Sequence, residues 1–145
     1  MQYMCLVYHE EKKIDALSSV ELAALVSECG AWVKELGGHH VFSAGLQCDR
    51  TAITVRNRNG KIVISDGPFA ETKEFLGGFT IINASDLNEA IQLASTLPAV
   101  RIGSIEVRPL LEPDGQLTDP LDQKIAAAFR HATHPWPFDQ RATKC

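Results

Sequence analysis

The sequence has no apolar run approaching the ~18–20 residues that span a bilayer, no C-x-x-C pair, and no surplus of basic residues. Each absence closes a class of function. Without a long apolar run, no transmembrane helix is expected. With 14 Lys and Arg against 18 Asp and Glu, the formal charge is −4 and no basic face is available to neutralise phosphates, so a nucleic-acid partner is not expected. The opening, Met1-Gln2-Tyr3-Met4-Cys5-Leu6-Val7-Tyr8, lacks the charged start and cleavage site of a signal peptide and reads as a strand, which gives a cytoplasmic expectation. Of the four cysteines, Cys5 and Cys29 fall on apolar positions, where cysteine behaves as a small hydrophobe, while Cys48 and Cys145 fall in polar surroundings. None has histidine at ligand spacing. His131-x-x-His134 lacks a third ligand, so neither metal nor cofactor is expected.

What is there is an ordinary globular pattern: 145 residues, 45% hydrophobic and 22% charged, enough for one domain with its own core. Residues 2–8 alternate as a first strand. Ser18 and Glu21 form a capping box. After it, Leu22, Leu25, Val26, Cys29, Val33 and Leu36 keep the three-four spacing of an amphipathic helix, which Gly37-Gly38 ends. Residues 39–45 read as a second strand. Residues 52–56 and 61–65 alternate on either side of Asn59-Gly60, a tight-hairpin signal. Residues 79–83 give a further strand. Asp86 and Glu89 open a second helix that Pro98 closes, and residues 104–110 give the last strand.

The order β-α-β, hairpin, β-α-β predicts an α+β fold: a ferredoxin-like βαββαβ sheet with an inserted β-hairpin. Right-handed crossovers put both helices on one face. The other face is expected to carry apolar residues from Ile53/Val55, Ile62/Ile64 and one of Ile81 and Ile82. A patch that large is expected to be covered by a second copy, making a homodimer through the helix-free face. Residues 1–111 form this domain and 112–145 a C-terminal extension. Asp119-Pro120 starts a helix there, with Leu121, Ile125, Ala128 and Phe129 on one face, and Pro135-Trp136-Pro137-Phe138 is expected to pack on the domain or on a partner subunit.

The most distinctive phrase is Asp66-Gly67-Pro68-Phe69 with Glu71-Thr72-Lys73 behind it, then Leu76-Gly77-Gly78-Phe79. Together with Ala44-Gly45-Leu46 and Gly103-Ser104-Ile105-Glu106-Val107-Arg108-Pro109, it resembles the YCII-related superfamily, in its DGPF-type branch. The resemblance implies a dimeric α+β barrel with a cleft between sheet and helices. Some YCII relatives carry a helix histidine paired with an aspartate, but the helix from Ser18 to Leu36 has no histidine, so that dyad does not transfer.

An acid–base reading then falls on Asp66 and Lys73 as catalytic groups, with Glu71, Thr72, Arg108, His40, Ser43 and Tyr8 as substrate-binding neighbours. A structural reading stands beside it. Asp66 before Gly67-Pro68 suits a turn, and Arg108 lies two residues from Glu106 on one strand face, where an ion pair would form. Gly77-Gly78 precedes a strand rather than a helix and is not a phosphate loop. Two functions are compatible with these residues. One is cofactor-free binding or transformation of a small polar molecule in a cleft of each subunit. The other is a non-catalytic regulatory or protein-interaction domain, which the resemblance links to sigma-factor-dependent transcription.

Overall fold

The computed structural model describes residues 1–132. The segment Pro135-Trp136-Pro137-Phe138, together with His134 and Cys145, lies outside the described residues. The chain divides into a unit of residues 1–109 and a second that begins at Leu110.

In the first unit, β1 (Gln2–Glu10) runs into a short helix, α1 (Glu11–Asp15), and then α2 (Ser19–Glu35). β2 (His40–Gly45), β3 (Ile53–Arg58), β4 (Lys61–Asp66) and β5 (Glu74–Asn83) follow, then α3 (Leu87–Ser95) and β6 (Gly103–Pro109). β2, β5, β1 and β6 make one antiparallel sheet in that order, which is the ferredoxin-like arrangement with its first strand in the interior. The predicted caps form. The Ser18 side chain accepts from the Glu21 N–H while the Glu21 carboxylate accepts from the Ser18 N–H, and Asp86 accepts from the Glu89 N–H at the head of α3.

Strand alternation sends Tyr3, Cys5 and Val7 of β1, with Thr80 and Ile82 of β5, to the helix-covered face, where they are buried. Trp32 and Leu36 of α2 and Ala90, Ala94 and Leu97 in and after α3 complete that core. Trp32 Nε1–H donates to Thr96 Oγ1 at 2.8 Å, tying α2 to the end of α3. Burial pushes the Cys5 thiol up to about 11, as expected for an inert core cysteine.

Neither α2 nor α3 packs on the opposite face. Met4 faces Ile81 and Leu6 faces Phe79 across β1 and β5, and Phe42 lies over Phe79 with ring centroids 6.0 Å apart while 53% exposed. Here the structure corrects the expected make-up of the uncovered face. Of Ile81 and Ile82, either of which the sequence allowed, Ile81 lies on it; but β3 and β4, expected to contribute to it, pair only with each other as a separate two-stranded sheet. Their tight turn takes Asn59 and Gly60 to positive φ. Ile53, Val55, Ile62 and Ile64 therefore leave the four-stranded sheet and stand exposed on a face of the hairpin's own.

In the second unit, Asp119 caps α4 (Pro120–His131) by accepting from the Leu121 and Asp122 N–H groups, with Pro120 in its favoured first position. Gln123 donates to the Leu117 carbonyl, Arg130 to that of Pro113, and Ala126 is buried. No helix among the described residues is long and apolar enough to cross a membrane.

Candidate functional site

The residues singled out in the sequence separate into three places. The first is a cleft of about 260 Å³ between α2 and the helix-side face of the sheet, lined by Val7 and His9 of β1, Cys29, Gly30, Trp32 and Val33 of α2, and Ser43, Gly78 and Thr80 of the sheet. Its walls are mostly apolar, so its polar groups define what it can recognise.

Two of them, Ser43 and Thr80, form a hydrogen-bonded chain with His40, which lies outside the lining. Ser43 Oγ–H donates to Thr80 Oγ1 at 3.0 Å, and His40 Nε2 lies 2.9 Å from Ser43 Oγ. A serine hydroxyl has a single proton; with that proton on Thr80, His40 is the donor to Ser43. Thr80 is 5% exposed. Cross-strand pairing places Ser43 opposite Thr80, so β2 and β5 build the pair directly. His40 and Ser43 were legible as candidates from the sequence. Thr80 was not, because an isolated threonine in an apolar strand carries no signal until its face is known.

His9 stands at the end of the same cleft. Its ring packs edge-on against Phe75 with centroids 5.6 Å apart. Room for it comes from Gly77, where a Cβ would lie 2.4 Å from His9 Nδ1. Gly77 is the extra residue of a β-bulge: Val7 pairs with Gly78 and Tyr8 with Leu76, leaving Gly77 without an opposite. Burial disfavours the imidazolium and lowers the His9 pKa from 6.5, so at neutral pH the ring is an uncharged proton acceptor. Cys29, also on the wall, has its thiol pushed up by burial, which leaves it protonated.

The second place is a more open, polar groove of about 560 Å³ lined by Glu11, Asp49, Arg50, Asp66, Gly67, Pro68, Glu71 and Thr72. It unites Asp66, Glu71 and Thr72 but not Lys73, which is exposed in the loop. Arg50 is engaged by Glu11 at 2.7 Å. The turn after β4 is held by the Gly67 backbone rather than by the Asp66 carboxylate. Gly67 sits at φ +90°, its N–H donates to the Ala52 carbonyl at 2.8 Å, and its own carbonyl accepts from Thr54 Oγ1 at 2.7 Å. Asp66 is exposed and is available to solvent or ligand.

The third place is the helix-free face. Tyr8 pairs with Ser104 and Arg108 with Met4, which puts both on that side, away from the cleft. Arg108 forms an ion pair with Glu106, and this partnership raises its pKa. Among the described residues, no group of three His, Cys, Asp or Glu side chains is arranged to hold a metal ion.

Three similarities to known proteins accompany this geometry. An uncharacterised protein, R00369, of Rhizobium meliloti (strain 1021) is 36% identical over 114 residues, covering 76% of this chain and 92% of the relative. A solved structure, the 5-chloro-2-hydroxyhydroquinone dehydrochlorinase TftG of Burkholderia phenoliruptrix AC1100 in complex with 2,5-dihydroxybenzoquinone, is 12% identical. It superposes with a TM-score of 0.46 over 76% of this chain and 93% of that one. The YCII-related domain is matched by residues 1–113, and the chain belongs to that family.

Proposed function

We propose that the cleft under α2 binds a small molecule, mainly apolar and carrying an oxygen that hydrogen-bonds to the Ser43–Thr80 pair, and that uncharged His9 serves as its acid–base group without a cofactor. The observation that carries this reading is that His9, Ser43 and Thr80 line one concave, otherwise apolar space, with His40 bonded to Ser43 from outside the lining. A neutral imidazole at one end of the cleft can take a proton from a bound molecule, while the Thr80 hydroxyl, whose own proton is free, donates to an oxygen of that molecule. Asp66, Glu71 and Thr72 belong to a separate polar groove, so their role in this reading is at most to bind a charged molecule or a charged part of a partner.

The helix-free face is the contact for a second copy in this proposal. Met4, Leu6, Phe79, Ile81 and the half-exposed Phe42 make a continuous apolar surface, while the cleft lies on the other side of the sheet and stays open in each subunit. The alternative, a non-catalytic regulatory or interaction domain acting with sigma-factor-dependent transcription, draws on a different observation. Ile53, Val55, Ile62 and Ile64 stand 58–66% exposed on the hairpin, as a partner-binding surface would.

A thermal-shift screen of single-ring metabolites against the wild-type protein and His9→Gln separates the two. The cleft reading expects stabilising compounds whose effect weakens in His9→Gln and Ser43→Ala and survives in Asp66→Ala. Compounds whose effect is lost in Asp66→Ala alone would move the site to the polar groove.

A further inference from the structure

Resting on the cleft reading, we infer that Gly30 is the residue that sets the size of molecule the cleft accepts, holding open a mouth for a ligand of one ring. Gly30 lies inside the 17-residue helix α2, in its C-terminal half. Glycine there is unfavourable, because it surrenders more backbone freedom on folding than any other residue. Three structural reasons commonly retain a helix glycine, and two are absent. Its φ is not in the left-handed region, so no special conformation is required. A Cβ built on it meets no heavy atom within 4 Å, so no close approach of a neighbouring element among the described residues requires it either. What remains is the space itself. Gly30 lines the cleft while exposed to solvent, which places it at the mouth rather than the floor.

The surroundings agree. Ala44, Gly45 and Gly78 of the sheet also line the cleft, so small groups bound it on the sheet side as Gly30 does on the helix side. Gly78 is accounted for separately, since its Cβ would lie 2.8 Å from the Ala44 carbonyl oxygen; Gly30 has no such account. The Trp32 ring is fixed by its bond to Thr96, so the inner wall cannot swing aside to admit something larger. A cleft of about 260 Å³ lies below the roughly 300–1,000 Å³ of those that hold drug-sized ligands. The class it suits is a single ring bearing a hydroxyl or carbonyl oxygen that reaches Thr80. Two fused rings would need the space that a side chain at position 30 would also take.

The test uses the full chain, calorimetric titration with 4-nitrophenol as the single-ring probe and 1-naphthol as the two-ring probe, and thermal melting of each variant. Wild type is expected to bind 4-nitrophenol at least tenfold more tightly than 1-naphthol. Gly30→Ala should melt higher, because alanine is the better helix former, and bind 4-nitrophenol a few-fold more weakly. Gly30→Leu should retain the fold by its melt and lose more than tenfold in 4-nitrophenol affinity. Wild-type affinity in Gly30→Leu, or equal affinity of wild type for the two probes, would overturn the inference while leaving the cleft as a binding site. Failure of wild type to bind either probe would overturn the cleft reading and this inference with it. Should Gly30→Leu not fold, Gly30→Ala alone decides: a higher melt with unchanged 4-nitrophenol affinity rejects the size-setting role.

Discussion

Replacing Gly77 by alanine tests whether the second glycine-rich phrase of the sequence exists for the fold or for the site. Its backbone is not in the left-handed region, so alanine meets no conformational penalty there. The whole cost comes from His9, whose Nδ1, Cε1 and Cγ atoms would stand 2.4, 2.5 and 3.0 Å from the new Cβ. Because even Cγ is affected, the ring must leave its place rather than bend at its tip. An off-rotamer ring costs about 0.5–1.5 kcal/mol, and losing the edge-on contact with Phe75 costs about 0.5–1.5 kcal/mol more. Gly77→Ala should therefore destabilise by roughly 1–3 kcal/mol in urea unfolding and, with His9 displaced, abolish ligand binding in the cleft. In a His9→Ala background the clash is absent. The same change should then be neutral or stabilising by about 0.4–1 kcal/mol through the unfolded chain. Equal destabilisation in both backgrounds would refute the assignment of Gly77 to His9.

Gly103→Ala makes the contrast: its φ of 176° suits any residue, but a Cβ would lie 1.8 Å from the Tyr8 carbonyl oxygen, so this variant should fail to fold, as judged by loss of near-ultraviolet circular dichroism. His9 also sets a pH dependence. With its folded pKa below the unfolded 6.5, its contribution to stability is present above pH 6.5 and is lost as the pH falls through the folded value; His9→Gln should flatten the stability profile in that window, measured by urea midpoints from pH 8 to 5. Trp32→Phe removes the hydrogen bond to Thr96 and should cost about 1–3 kcal/mol in the same assay, the bond and the lost volume together. Phe42→Asp should shift sedimentation toward monomer if the helix-free face joins two copies; a wild-type protein that is monomeric at micromolar concentration would remove that proposal.

Much of the fold was legible because its signals are local. The Ser18–Glu21 capping box, the Asp86 and Asp119-Pro120 helix starts and the Asn59-Gly60 turn each appear where the sequence places them. The strand order follows from βαβ geometry once the elements are known. Two features escaped. β5 begins at Glu74, five residues before the apolar run at Phe79, because the register with β1 draws a charged and glycine-containing segment into the sheet. The hairpin's separation from the sheet depends on long-range pairing that alternation within β3 and β4 does not encode. The site shows the same division. His40 and Ser43 stand near each other in sequence and could be named together, whereas His9 joins them only through a bulge at Gly77, and Thr80 only through its strand face. Asp66 borders the polar groove rather than the cleft, a placement its distinctive loop does not reveal.

In the proposed function, ligands enter the cleft between α2 and the sheet. Amide chemical-shift mapping on the nitrogen-15-labelled protein, titrated with the strongest compound from the metabolite screen, tests it directly. The largest shifts are expected at Gly30, Ser43, Gly45, Gly78 and Thr80, with little change at Asp66, Gly67, Glu71 and Thr72. The reverse pattern, with the polar groove responding and the cleft silent, would contradict it.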